Sequence, residues 1–519
     1  MSLRILLIFL GLVGLARPQS QPVQNSIAGR SSRLAQATSK QESEVADTPC
    51  TLPGIPAKNI RETIDTTDAL PSPLAADAMI RIALKVSSRC PILTKDLLHH
   101  AFEQTESVKP ETAYTLASGT GLTDSRIRYS ALGYSLEMDR LSLQSRAVLA
   151  MAPLDAKMAI QLFQRILPPR PPAVGCSSAF VPDVSIYYKA LETILEVSPK
   201  MQPRSIARVQ ASVMLVEEAA GATTSPVQLF PLAVVVEKAR FTNEELSSLM
   251  SALAASVENF PADDRSLSAY RWWHRVAGSP SEAIAKLVAL SRHHQVPYYS
   301  LLHAYRDYLD RSMKGPHCGD NFDKDVKTLG ALSESTNEWL SRFQPVMEPI
   351  SIPEPAPPIE PGPDEGVYWR SPKTGELVLD GKHLYFDDNW RIYTDADRKT
   401  AAWRDRVQHM LDDMDDWKVT DEQESADYYH QRCMLLYHTL ETVPPGPLYD
   451  RILLVWIATF EDSPLQWDRP AEWYYEVLQF IEYSKKNKSG SSRFAALSSL
   501  KDSSSMYLHA SGVVAEFLQ

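Results

Sequence analysis

Thr242-Asn-Glu-Glu-Leu-Ser-Ser-Leu-Met-Ser-Ala-Leu-Ala-Ala-Ser-Val-Glu-Asn-Phe260 carries the fold signal of this chain in one segment. Leu246, Leu249, Met250, Leu253, Val257 and Phe260 recur three and four residues apart, which places them on one face of a helix. Thr242 followed by Glu245 fits a capping box: the hydroxyl serves the N–H three residues on, and the carboxylate reaches back. The same text runs outward on both sides. Ile206, Val209, Val213, Val216 and Ala220 share a face, as do Val184, Tyr187, Tyr188, Leu191, Ile194 and Leu195. Thr94 and Asp183 stand as further start signals, before Lys95-Asp96-Leu97 and Val184. Prolines punctuate the gaps, at 110, 153, 168 to 172, 199, 203, 226, 261, 280 and 297. Short proline-bearing turns between such helices make antiparallel pairs.

The expected fold is therefore mainly α, an irregular helical-hairpin array over residues 50–343. Ala156–Ile166 reads as the second half of one hairpin, but no strict 34-residue period holds. The pattern resembles irregular α-solenoids as a class, with a compact multi-helix bundle as the alternative. Between Pro345 and Pro363 stand eight prolines, so residues 344–365 are expected to form a semi-rigid linker. Beyond it, over 366–519, a smaller C-terminal helical module is expected, opened by a short β-meander. Asp380-Gly381 between Glu376-Leu-Val-Leu and Lys382-His-Leu-Tyr-Phe is a two-residue hairpin signal. The stretch from Val367 to Tyr393 resembles the aromatic hairpins of cell-wall-binding repeats, in a single copy. Helices rich in Trp and Tyr follow it.

At the other end, Arg4, the apolar run Ile5–Leu15 and the small residues Gly14 and Ala16 have the shape of a secretory signal peptide over residues 1–16. Residues 17–49 are rich in Ser, Gln, Thr and Arg and read as a disordered leader. The expectation is an exported, secreted or periplasmic protein, not membrane-spanning after signal cleavage. The best other apolar run, Ile452–Phe460, is short and bracketed by Asp450, Arg451, Glu461 and Asp462. Export makes disulfides available. Cys50, Cys90, Cys176 and Cys318 lie beside Pro or Gly, and the favoured pairs are Cys50–Cys90 and Cys176–Cys318. The net charge of −11 argues against a non-specific nucleic-acid binder, which needs a basic stripe, and no nucleic-acid partner is expected.

Chemistry is thinly marked. His-Glu-x-x-His, Walker A and Gly-x-Ser-x-Gly motifs are absent, and Gly119-Thr-Gly121 lacks the third glycine of a dinucleotide loop. His409, Asp412, Asp413 and Asp416 share a helix face, read as a solvated acidic face. His430, Cys433 and His438 point in directions too divergent for one tetrahedral ion, and Cys433 reads as a buried structural thiol. No catalytic, cofactor-binding or metal-ligating residue is assigned, and the balance is against an enzyme. The leading expectation is a helical-repeat scaffold for protein–protein interaction, its partner another protein. The alternative is a secreted or envelope protein that binds or cleaves glycan through aromatic and carboxylate residues. Its polysaccharide would meet an aromatic patch of Tyr368, Trp369, Tyr385 and Trp390.

Overall fold

Side chains fix the helix starts. Thr242 and Glu245 form the expected capping box, and Ser279 with Glu282 forms another, with Pro280 in the first turn. Asp139, Asp155, Thr400 and Ser505 each accept from a backbone N–H of the turn they open. The computed structural model describes residues 50, 52–53, 56–68, 70–106, 133, 136–171, 184–201, 206–261, 278–314, 334–343, 348–350, 393–394, 396–417, 425–468, 470–486 and 497–518. Over these the chain is mainly helical. By contacts it divides at Cys50. Thr51–Gln519 form one compact unit, and of Met1–Cys50 only Cys50 is described.

The first helices are α1 (Ala57–Asp68), α2 (Ser72–Val86), α3 (Pro91–Glu106), α4 (Arg140–Met151) and α5 (Ala156–Phe163). Then come α6 (Ser185–Met201), α7 (Ile206–Gly221), α8 (Leu229–Lys238), α9 (Asn243–Glu258), α10 (Pro280–His293) and α11 (Tyr299–Lys314). One described start differs from the sequence reading, and Asp183, read as another start, lies outside the described residues. α3 begins at Pro91, whose missing N–H and preset φ suit a first turn, and Thr94 sits inside it, buried, donating to the Cys90 carbonyl at 2.9 Å. Pro199 falls in the last turn of α6 rather than in a gap.

Helices pack on their next-but-one neighbours. α2 meets α4, α4 meets α6, α6 meets α8 and α8 meets α10, while α7 meets α9 and α9 meets α11. Ion pairs bridge three of these contacts. Asp77 on α2 takes Arg146 of α4 at 2.7 Å, Glu192 on α6 pairs with Lys238 of α8, and Glu237 on α8 pairs with Lys286 of α10 at 2.8 Å. The faces read from spacing are the packed ones. Leu246, Leu249, Met250, Leu253, Val257 and Phe260 are all buried, as are Val184, Tyr187, Tyr188, Leu191 and Ile194, while Leu195 is half-buried; Val213, Val216 and Ala220 are buried, and the side chains of Ile206 and Val209 lie outside those described. At 348–350, where the proline-rich stretch starts, the chain is fastened back. Asn337 brackets Ile350, donating to its carbonyl and accepting from its N–H, and Arg306 donates to the carbonyls of Glu348 and Pro349.

The C-terminal helices are α12 (Ala401–Asp416), α13 (Ser425–Thr442), α14 (Pro447–Glu461), α15 (Leu465–Asp468), α16 (Pro470–Lys486) and α17 (Met506–Phe517). α13 and α12 both pack on α14, and α16 packs on α13 and α17. Trp456, Phe460, Phe480 and Tyr483 interlock there, with Trp456 and Phe480 edge to face at 5.2 Å. These helices also reach the start of the fold: α1 packs on α17, and α2 on both α16 and α17. So α2 is covered on nearly every side, with Leu74, Ala76, Met79, Ile80, Ile82 and Val86 all buried. Its pattern is apolar round most of its circumference, as a central helix requires. No described helix is long and apolar enough to cross a membrane. The segment expected to form the meander, 367–392, lies outside the described residues.

Candidate functional site

The densest reactive chemistry lies between α13 and α16. His430 and Glu476 are both buried, and Nδ1 of His430 meets Oε1 of Glu476 at 2.6 Å. Oε2 of Glu476 has no hydrogen-bond partner among the described residues. Cys433, one turn along α13, is a free thiol with no exposed surface. Burial pushes that thiol well up from its usual value, and the nearby Glu476 carboxylate pushes it further. A cysteine nucleophile needs the reverse, a thiolate held by positive surroundings and open to substrate. Cysteine, histidine and carboxylate are thus close together, but in an arrangement that joins two helices rather than attacks a substrate.

Neighbouring polar groups tie α13 and α16 to each other and to α12 and α14. Tyr429 donates to the Trp473 carbonyl at 3.2 Å, and Trp473 Nε1 donates to the Phe460 carbonyl at 3.1 Å. Arg432 donates to the Met414 carbonyl at 2.8 Å, to the Tyr428 hydroxyl at 2.8 Å and to Thr459 Oγ1 at 3.1 Å. Cys433 was legible as a buried thiol, but Glu476 was missed. The available signal was a lone carboxylate inside Trp473-Tyr-Tyr-Glu-Val-Leu-Gln-Phe-Ile481, one turn from Trp473 and from Phe480.

A second buried group joins α2 to α4. Burial disfavours the Asp77 charge, but Arg81 and Arg146 more than offset it, and its carboxyl lies below the usual range. Arg81 Nε donates to Asp77 at 2.8 Å, and Arg146 Nη2 donates at 2.7 Å. Asp139, which caps α4 through Ser142 N–H at 3.0 Å, has no such cation among the described residues. Burial lifts its carboxyl from 3.8 to about 6, against the hydrogen bonds from Ser142 and with a small push from Glu137.

The acidic face of α12 is met by arginine. Asp412 accepts from Arg451 of α14 at 3.0 Å and from Gln408 at 2.8 Å, which holds its carboxyl below the usual range. His409 stands 3.6 Å from Asp413. Among the described residues, no three His, Cys, Asp or Glu side chains gather as a metal ion would need, and this includes the His430–His438 stretch. Cys50 and Cys90 are each disulfide-bonded. Cys176 and Cys318 lie outside the described residues, as do Tyr368, Trp369, Tyr385 and Trp390. No family model matches the chain, and no curated protein matches it.

Proposed function

We propose that this protein is an exported scaffold that binds another protein along a stacked array of helical pairs. One observation supports it above the others. The next-but-one packing of α2, α4, α6, α8 and α10, and of α7, α9 and α11, is the contact pattern of a two-row solenoid. Such a stack buries a continuous core and leaves an extended surface suited to macromolecular partners. The bridging pairs Glu192–Lys238 and Glu237–Lys286 tie successive members of one row and suit the same arrangement. Cys50 and Cys90, both disulfide-bonded, support an oxidising compartment and hence export. Burial and the raised thiol speak against Cys433 as a nucleophile.

Site-specific photo-crosslinking in the producing cell tests it. A photoreactive residue is placed in turn at Met214 on α7, Ser248 on α9 and Tyr299 on α11, all exposed. A continuous binding surface predicts that all three positions capture the same protein. Adducts to unrelated proteins, or adducts to glycan alone, would overturn the reading.

A further inference from the structure

Trp467 on α15 is 60 % exposed, and Met506, which opens α17, is 47 % exposed. The Trp467 ring lies 5.4 Å from that of Tyr507, and Tyr507 lies 6.2 Å from the buried Trp473. The platform is therefore backed by core. It is also pinned in place: Ser505 Oγ donates to Gln466 Oε1 at 2.8 Å, Gln466 Nε2 donates to the Glu461 carbonyl at 3.2 Å, and Ser503 Oγ donates to Glu461 Oε1 at 2.5 Å. These bonds bring the end of α14, all of α15 and the start of α17 together. The same segments carry four exposed carboxylates: Glu461, Asp462, Asp468 and Asp502. Among described cations beside the face, Lys501 is engaged by Glu516 at 2.7 Å. Arg469 lies outside the described residues.

Single exposed apolar side chains are ordinary, but a contiguous patch with a polar rim marks an interaction surface. Here the charge of the rim chooses the occupant. Indole and phenol faces attract cations, and arginine stacks on them through its planar guanidinium. The carboxylates add attraction toward positive charge before contact, in a chain whose net charge is already −11. A neutral glycan would use the rings and leave the exposed carboxylates unused. We propose that the Trp467–Met506–Tyr507 face, within its acidic rim, docks a lysine- and arginine-rich segment of a partner protein. This rests on the scaffold reading only in taking the partner to be a protein.

The test is fluorescence anisotropy of a labelled peptide of alternating Arg, Lys and Leu, titrated with the intact chain at about 50 mM and about 300 mM NaCl. Matched Glu-rich and uncharged peptides, and a neutral oligosaccharide, serve as competitors. Trp467→Ala is expected to weaken binding about tenfold. Asp462→Asn with Asp468→Asn is expected to weaken it and flatten its salt dependence. Should Trp467→Ala fail to fold, Asp468→Lys, at an exposed position, is read for the same loss. Basic-peptide affinity unchanged by these variants would overturn the proposal, because the attraction would then be that of net charge elsewhere. Equal competition by the uncharged peptide or the oligosaccharide would overturn it too. Neither result touches the crosslinks from α7, α9 and α11, so the scaffold reading would stand or fall separately.

Discussion

Replacing Asp139 by Asn should stabilise the protein at neutral pH and do almost nothing in acid. Asp139 caps α4 from a buried position, and its Oδ1 has no hydrogen-bond partner among the described residues. Its carboxyl moves from 3.8 to about 6. At ~1.36 kcal/mol per pKa unit, holding it ionised in the folded protein costs about 3 kcal/mol. The sign follows from linkage. A carboxyl whose pKa is higher folded than unfolded binds its proton more tightly when folded. Its stabilising contribution is full below about pH 4 and is lost as pH rises through about 6. Asn is as good an N-cap as Asp and carries no charge. The positive end of the helix favours a buried anion by up to ~2 kcal/mol, less than the cost of burial, which leaves the sign unchanged. Urea denaturation of parent and Asp139→Asn, followed by far-UV circular dichroism, should give matching midpoints near about pH 4. By about pH 7.5 the variant should be ahead by about 1–3 kcal/mol. A gap independent of pH, or a variant less stable at neutral pH, would refute the argument that burial governs this carboxyl.

Three further outcomes can be checked alongside. Glu476→Leu should destabilise by about 1–3 kcal/mol, since it leaves the buried Nδ1 of His430 without its partner, and the double change His430→Leu with Glu476→Leu should recover much of that loss in a denaturation cycle. A double variant no better than the single would mean that the pair itself holds α13 to α16. Gly512 on α17 lies so close to residues 500–501 that a Cβ there would stand 2.5 Å from the Lys501 backbone nitrogen. Gly512→Ala should therefore cost about 1–3 kcal/mol of overpacking, and an unchanged urea midpoint would contradict the close approach. Cys433 should resist iodoacetamide until the protein is unfolded, while non-reducing peptide mapping returns Cys50 and Cys90 in disulfide linkage; native-state alkylation of Cys433 would show that the thiol is neither buried nor raised.

Sequence periodicity revealed the helices because burial needs a face, and a face needs spacings of three and four. Thr242–Phe260 shows this completely: the six apolar positions are buried, and the cap is formed as the spacing implies. The α3 start was misplaced because Thr94 resembles a cap, while Pro91, three residues earlier, is the better first-turn residue. Which helices touch was not legible. His430 and Glu476 meet across two helices, and no local pattern records that 430 will face 476. Asp77 shows the same limit. Its own helix supplies Arg81 at the fourth position, which a sequence can show, but Arg146 arrives from another helix. The raised carboxyl of Asp139 likewise depends on burial created by packing rather than by its neighbours in the chain.

The cover that α16 and α17 give to α2 has a consequence for biosynthesis. Residue 506 leaves the ribosome more than 400 residues after Val86. At synthesis rates of ~5–20 residues per second, α2 waits roughly 20–80 s for its last neighbours. During that interval Ile80, Met79 and the rest of its apolar surface are only partly housed by α1, α3 and α4. Contacts this distant in sequence form slowly, since a long loop must close before they repay it. The first helices made are therefore among the last completed, and the nascent chain offers chaperones a defined apolar target until α17 arrives.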